Sequence, residues 1–190
     1  TIQASKVFAT VGPASVDYAS LSATPGARSD AVPALAIDLA QTSNIQADRI
    51  YLVATEKGVG VNAAGRMTAG TGGIAIQADG TLTISNDLKA TGGAITVGAG
   101  SIAHTAGAIS TDSLVMLQSA GALSSSGGSI KGQDIVLASS GASLFLNANL
   151  EALGDLSLSS GSTLDLASGT FKAGGAASLW SSGDLKLWPT

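Results

Sequence analysis

The sequence predicts an all-β protein: a right-handed parallel β-helix, which is a solenoid with about 21 residues per coil. Three observations predict it. Apolar residues recur at a fixed period, Gly-containing turns recur between them, and no stretch of about 12 residues keeps the apolar spacing of a helix. Each coil of a solenoid buries its apolar face only against its neighbours, so a solenoid has no single central site. We therefore expect its function to be carried by the length of the rod, by its flanks or by its excursions.

Three columns of apolar residues carry this period, and successive members of each column are 20 or 21 residues apart. Three independent columns with one period indicate stacked coils. The first column is Met67, Leu88, Ile109, Ile130, Leu150 and Phe171. The second is Val61, Leu82, Ile102, Leu123, Leu144, Leu164 and Leu185. The third is Ile76, Val97, Leu117, Leu137, Leu158 and Leu179.

Within a coil, short alternating apolar runs are separated by turn residues. One coil holds Ile74 with Ile76 and then Leu82 with Ile84. Alternation over three to five residues is typical of a strand with one buried face. We therefore expect two or three strands per coil and about seven coils from Ile37 onward, which makes a rod about 35 Å long.

The first third of the chain departs from the rhythm. Residues from about 8 to 33 hold Pro13, Pro25 and Pro33, and proline cannot donate to the ladder of a central strand. The sequence therefore predicts an extra-helical, Pro-containing excursion over about residues 8–33. At the other end, Leu185–Trp188 still has the pattern of a strand, so we expect further coils beyond both ends of this chain.

Composition excludes several classes of function. The net charge is −4 and Lys and Arg form no cluster, so we expect no nucleic-acid partner, because duplex binding requires many phosphate contacts. The absence of cysteine excludes disulfides and Cys-ligated metals and is compatible with export. No apolar stretch approaches the roughly 18 residues of a membrane span. We expect no cofactor and no bound metal.

Two sets of residues have alternative chemical readings. Asp112, Asp134 and Asp155 recur at similar points of successive coils, where carboxylates bind Ca²⁺ or accept backbone N–H groups at corners; we favour the corner role. His104 is the only histidine, and a base needs a partner within hydrogen-bond reach. The sequence indicates no such partner, so we expect a turn or surface histidine.

A recognition surface is the remaining kind of site. Loops on a regular scaffold often carry function, and exposed aromatic side chains anchor partners or stack on sugars. The excursion is the best candidate for such a surface, although it is also suited to covering a sheet edge. The charged pair in the turn before Gly58 is either a recognition tip or a solvated turn. The candidate recognition residues are Tyr18, Arg28, Asp30, Glu56, Lys57 and Trp180.

The segment DRIYLVATEKGVGVNAAG, from Asp48 to Gly65, resembles the filamentous haemagglutinin family. VDYAS at Val16–Ser20 and PALAIDL at Pro33–Leu39 are similar to the family segments that precede it, and the later coils resemble its haemagglutinin repeats. The early Asn-Pro-Asn-Gly type motifs of the family are absent. The resemblance thus implies that residues 1–65 are the end of a secretion (haemagglutination-type) domain and that residues 66–190 are a β-helical shaft.

This family consists of large exoproteins of two-partner secretion systems, and it includes adhesins and contact-dependent growth inhibition effectors. The resemblance therefore implies a virulence-associated protein, secreted or at the cell surface of a Gram-negative bacterium, and an outer-membrane transporter as its partner during export. We expect a non-enzymatic shaft that presents distal adhesive or toxic regions. The alternatives are an adhesin module that binds a host or bacterial receptor or glycan, and a polysaccharide lyase or hydrolase on the same fold.

Overall fold

The computed structural model describes residues 1–12, 14–17, 23–26, 31 and 33–188. These residues form strands and no helix, which confirms the predicted fold class. The first eleven strands are β1 (Ile2–Gln3), β2 (Lys6–Val11), β3 (Ala14–Val16), β4 (Ala23–Pro25), β5 (Leu35–Leu39), β6 (Asn44–Ala54), β7 (Gly60–Ala63), β8 (Arg66–Ala78), β9 (Thr81–Ile84), β10 (Leu88–Ala90) and β11 (Ile95–Ala99).

The remaining strands are β12 (Ser101–His104), β13 (Ala108–Ser110), β14 (Leu114–Ser119), β15 (Leu123–Ser125), β16 (Ser129–Gly132), β17 (Asp134–Ser139), β18 (Leu144–Asn147), β19 (Asn149–Ala152), β20 (Leu156–Ser160), β21 (Leu164–Ser168), β22 (Phe171–Ala173), β23 (Ala177–Ser181) and β24 (Leu185–Leu187). Together they make a solenoid of about seven turns with about 21 residues per turn.

Each turn contributes one strand to each of three faces, and all pairs between turns are parallel. Face one contains β10, β13, β16, β19 and β22, and face two contains β11, β14, β17, β20 and β23. Face three contains β5, β7, β9, β12, β15, β18, β21 and β24. The long strands β6 and β8 run through the corner between faces one and two, so each of them serves both faces.

The register confirms all three apolar columns. On face one, Leu88 pairs with Met67 on one side and with Ile109 on the other. The second column follows the ladder of face three and the third column follows that of face two, for example where Val97 pairs with Leu117. A shift of one residue would turn every side chain to the opposite face, so the period of the sequence fixes the pairing.

The core is a continuous aliphatic stack along the rod axis. It extends from Ile37 to Leu166, and nearly all of its members are fully buried. Burying one such side chain contributes about 1.5–3 kcal/mol, and no single coil supplies the covering surface by itself. Coils therefore stabilise one another through their neighbours.

Tight corners between strands require glycine at a few positions. Gly128 has a φ of 77°, and a Cβ there would collide with the carbonyl oxygen of Gly107 in the coil before it. Left-handed backbone costs other residues roughly 1–2 kcal/mol, and the close approach of two backbones adds a steric barrier. The recurrence of glycine in the sequence thus reflects both corner geometry and coil spacing.

The predicted excursion is present, but it begins later than expected. The structure pairs β2 in parallel with β6 as far as Val11 with Ala54, so residues 8–11 lie in the first coil. The predicted start of the excursion, at about residue 8, was therefore wrong. The prolines that mark the excursion begin only at residue 13. Beyond Gly12, β3 and β4 form a separate two-stranded antiparallel sheet outside the parallel ladders.

The last coil exposes apolar side chains that are buried elsewhere in the rod. Leu185 is 47% exposed, whereas Leu164, its register partner in the coil before it, is fully buried. Leu179 and Leu187 are exposed in the same way. The end of the stack therefore presents apolar residues in the register of the core.

Candidate functional site

The predicted recognition residues do not form one surface. Tyr18, Arg28 and Asp30 lie outside the described residues. Trp180 projects from β23 in the last coil and is 59% exposed, which confirms its outward orientation. Glu56 and Lys57 follow β6, near the other end of the rod. Six coil steps separate them from Trp180, which at about 4.8 Å per step is about 30 Å along the rod axis.

The charged pair Glu56–Lys57 is not the solvated turn that its composition suggested. Lys57 is exposed, but Glu56 is only 7% exposed. Gly12, at the start of the excursion, lies directly against Thr55 and against the backbone and Cβ of Glu56. The pair therefore presents one ammonium group to solvent, while the Glu56 side chain is buried.

The most unusual polar group is His104, which is fully buried in the core at the end of β12. Its Nδ1 lies 2.8 Å from Oγ of Ser125 in the next coil, and its Nε2 lies 3.3 Å from the carbonyl oxygen of Gly107. The carbonyl can only accept, so the geometry favours a proton on Nε2 and the Ser125 hydroxyl donating to Nδ1. The expectation of a turn or surface histidine was wrong.

This His–Ser pair has the distance of a base and a nucleophile, but not the access. Both side chains are 0% exposed, and they lie in a column whose other members include Ile84 and Leu146. Burial lowers the pKa of His104 below its usual value of 6.5, and hydrogen bonds to the backbone oppose the shift. The geometry suits a neutral imidazole that accepts a hydrogen bond from the Ser125 hydroxyl inside the core. Because both side chains are fully buried, no substrate reaches either atom.

The aspartates at the corners accept hydrogen bonds from the following coil. Asp134 Oδ1 accepts from the backbone N–H of Asp155 at 2.8 Å, and Asp155 Oδ1 accepts from that of Ala176 at the same distance. Asp112 does not belong to this column, because the register pairs Leu114 with Asp134. The corner role is confirmed for Asp134 and Asp155. No group of three or more His, Cys, Asp or Glu side chains within the described ranges could hold a metal ion.

A column of serines also joins the coils, and sequence reasoning missed it. It runs in register along the corner at the end of face two. Ser139 Oγ donates to carbonyl oxygens of Gly121 and Ala142, and Ser160 Oγ to those of Ala142 and Thr163. The signal was a serine at a fixed period of 20 or 21 residues, hidden among many other serines. Its members are Ser119, Ser139, Ser160 and Ser181.

Comparison with curated proteins gives three relatives. The protein named tRNA nuclease CdiA-2 of Burkholderia pseudomallei (strain 1026b) is 43% identical over 75 residues, which is 40% of this chain. The protein named tRNA nuclease CdiA of Escherichia coli (strain NC101) is 44% identical over 69 residues, or 36% of this chain. Toxin CdiA of Yersinia pestis is 48% identical over 50 residues, or 26% of this chain.

The homologues of this chain are CdiA toxins. The resemblance to the filamentous haemagglutinin family, with its contact-dependent growth inhibition effectors, is thereby confirmed. The match spans 2% of the length of each of these three CdiA proteins, so the nuclease activity in two of their names is stated of those proteins. No family model and no solved structure matches the chain. In the described part of the chain there is no helix long and apolar enough to cross a membrane.

Proposed function

We propose that this chain is a non-enzymatic part of the shaft of a CdiA-like exoprotein, secreted or displayed at the surface of a Gram-negative bacterium. The observation that carries the proposal is the unbroken register of three apolar columns, because a core that continues from coil to coil makes a stiff rod without an interior site. The CdiA names and the solenoid fold fit such a shaft. The shaft holds distal adhesive or toxic regions away from the cell.

The proposed partner during export is the outer-membrane transporter of a two-partner secretion system. The structure suggests why the chain would fold only after transport. One coil cannot bury its own apolar column, so the first stable stack needs several coils outside the transporter. After that, each new coil adds to an existing template.

We propose that the segment has no catalytic activity of its own. The His104–Ser125 pair is enclosed in the core, and the carboxylates of Asp134 and Asp155 accept backbone hydrogen bonds at corners. The purified chain should therefore leave tRNA and acidic or neutral polysaccharides intact. Turnover of any of them, abolished by His104→Leu, would contradict the proposal.

A segment exchange tests the shaft role. The 69 residues of the Escherichia coli CdiA protein that match this chain are replaced by the matching residues of this chain. We expect the chimera to be displayed on cells and to inhibit target cells as its parent does. A matched control loses half a coil of the inserted segment and should fail in both respects. Normal display of the control, or loss of display by a correctly folded chimera, would contradict a shaft role.

The second candidate function is an adhesin module that binds a receptor or glycan through the excursion. One observation favours it: β3 and β4 form their own antiparallel sheet outside the ladders of the rod. The test is binding of the labelled chain to bacterial and epithelial cells, compared with a variant in which residues 14–31 are a Gly/Ser linker. Saturable binding that the linker variant loses would support this candidate. If neither protein binds saturably, the adhesin function is rejected and the shaft role is the one that remains.

A further inference from the structure

His104 brings a titratable side chain into the inner wall of face three, at the corner where that face turns into face one. It ends β12, and residues 105–107 lead from it to β13. In register, His104 follows Ile84 and precedes Ser125 in an inward column. The other members of this column are aliphatic, namely Ala63, Ile84, Leu146 and Leu166. The imidazole and its serine partner therefore interrupt a wall that is otherwise apolar.

The closed rod has no place for a second proton on this imidazole. Nε2 donates to the carbonyl oxygen of Gly107, and Nδ1 accepts from the hydroxyl of Ser125. Both nitrogens of an imidazolium donate, so the Ser125 oxygen would have to accept and its own hydrogen would need another acceptor. Ser125 is fully buried, and the described residues give its hydroxyl no other hydrogen bond. Protonation of the closed site would therefore leave a buried donor unsatisfied and bury a charge.

The charged groups around His104 do not compensate for that charge. On the strands next to it and on the corners that border this end of face three, they are Asp87, Lys89, Asp112 and Lys131. The last three are exposed. Asp87 pairs with Arg66 at 3.2 Å through one oxygen and accepts the backbone N–H of Ala108 at 3.0 Å through the other. Burial therefore dominates and lowers the pKa of His104, and only hydrogen bonds to the backbone oppose the shift.

The ladders beside His104 are shorter than those of face two in the same coils. β12 has four residues and β13 and β15 have three each, whereas β14 and β17 have six each. Short ladders hold fewer hydrogen bonds between strands, so we expect local opening to require less free energy here than on face two. Because each coil contacts only its neighbours, such an opening need not spread along the rod.

We propose that the corner at His104 is an acid-opened joint: when the imidazole takes up a proton from solvent, β12, β13 and β15 separate from their neighbours while the ladder of face two stays closed. The open form exposes the imidazolium to water, which removes both the conflict at Ser125 and the cost of a buried charge. Face two keeps the coils continuous, and the loss of support on faces one and three lets the rod bend at this coil. The joint is a property of the coils themselves, so it does not depend on the shaft role.

The test is hydrogen–deuterium exchange of the purified 190-residue chain at about pH 7.5 and about pH 5, with labelling times scaled for the intrinsic pH dependence of exchange. Mass spectrometry compares peptides that contain β12, β13 and β15 with peptides that contain β11, β14 and β17. His104→Leu removes the titrating group and fits the aliphatic column. His104→Gln stays polar without titrating in this range, and it serves if the leucine variant folds poorly. Circular dichroism verifies the fold of each protein.

We expect the protection of β12, β13 and β15 to fall by about tenfold to thirtyfold between the two pH values. The reason is that an imidazole in the open form, with a pKa near its usual 6.5, is almost fully protonated at the lower pH. Protection of β11, β14 and β17 should change less than about twofold. In the His104 variants the joint should keep the same protection at both pH values.

Four results would overturn the proposal. The first is unchanged protection of the joint in the wild type at the lower pH. The second is an equal fall on face two, which would mean global unfolding. The third is the same fall in a folded His104 variant, which would assign the effect to carboxylates. The fourth comes from the single histidine signal in a nuclear magnetic resonance titration: a midpoint near pH 6.5 while the joint stays protected would show that the closed site accepts the charge.

Discussion

At the scale of single residues, polar side chains link each coil to the next by hydrogen bonds. The carboxylate of Asp134 and the hydroxyls of Ser139 and Ser160 satisfy backbone groups at corners, where the ladder cannot. His104 and Ser125 form one such link inside the core itself. A buried hydrogen bond of this kind contributes little net stability, whereas leaving one partner alone costs about 1–3 kcal/mol.

The His104–Ser125 pair therefore gives a prediction about coupling. His104→Leu and Ser125→Ala should each lower the free energy of unfolding by about 1–3 kcal/mol, because each leaves a buried polar atom without its partner. The double variant should lose less than the sum of the two single losses, since Leu fits a column that already holds Ile84 and Leu146, although the Gly107 carbonyl still lacks its Nε2 donor. Urea unfolding of the four proteins measures the coupling. Additive losses would show that the hydrogen bond is energetically unimportant.

A second prediction at this scale concerns pH. Burial lowers the pKa of His104 below its usual 6.5, so the unfolded chain binds a proton more readily than the folded one. Stability linked to His104 is complete above about pH 6.5 and is lost as the pH falls below it, by at most about 1.4 kcal/mol per pH unit. Unfolding free energies at several pH values from 7.5 to 5 measure this.

The matched comparison is His104→Leu, which removes the only histidine of the chain and leaves every carboxylate in place. Its stability should vary less with pH in this range than that of the wild type. Parallel pH profiles for the two proteins would mean that His104 does not titrate differently in the folded and unfolded states.

At the scale of elements, the strands of all three faces follow from apolar periodicity, while the corners follow from glycine. Gly58 and Gly128 have nearly the same positive φ, 76° and 77°. They differ in their surroundings, because a Cβ at Gly58 meets nothing within 4 Å and one at Gly128 meets the carbonyl oxygen of Gly107. The two positions separate backbone strain from steric contact between coils.

We expect Gly58→Ala to lower the free energy of unfolding by about 1–2 kcal/mol, which is the cost of left-handed backbone alone. Gly128→Ala should lower it by at least twice as much, because one coil must also move away from the next. Gly98→Ala serves as a reference, since Gly98 has no positive φ and no neighbour within 4 Å of a Cβ, and it should be close to neutral. Equal losses at Gly58 and Gly128 would show that coil spacing adjusts freely.

The elements could be predicted well from the sequence, and the candidate sites much less so. The apolar columns were readable because a one-residue shift would expose all their members, which makes the pattern strict. His104 was misplaced because a polar residue in an apolar column looks like the start of a turn, and its partner Ser125 is 21 residues away. Glu56 was misplaced because the chain around it packs against Gly12, which is distant in the sequence.

At the scale of the whole molecule, the rod is a stack in which any coil has the same relation to its neighbours. Ile102 and Leu123 occupy equivalent places in successive coils of face three. Removal of residues 102–122 therefore places Leu123 where Ile102 was and restores every column. The length of the rod then depends on the number of coils, and not on which ones are present.

We expect the variant without residues 102–122 to keep its β circular dichroism and cooperative unfolding, and to be about 4.8 Å shorter by small-angle X-ray scattering. Removal of residues 102–112, which is about half a coil, should abolish cooperative unfolding because apolar and polar positions then meet in the ladders. Cooperative unfolding of both variants would show that the register is not what stabilises the rod.

The parallel stack of coils has a mechanical consequence. One coil of about 21 residues advances the rod by only about 4.8 Å, whereas the same residues span about 70 Å as an extended chain. Tension applied between the two ends loads every interface between coils in series, and each coil that detaches lengthens the molecule by about 65 Å. The rod thus yields under tension in steps of one coil, and it lengthens greatly before any covalent bond is loaded to breaking.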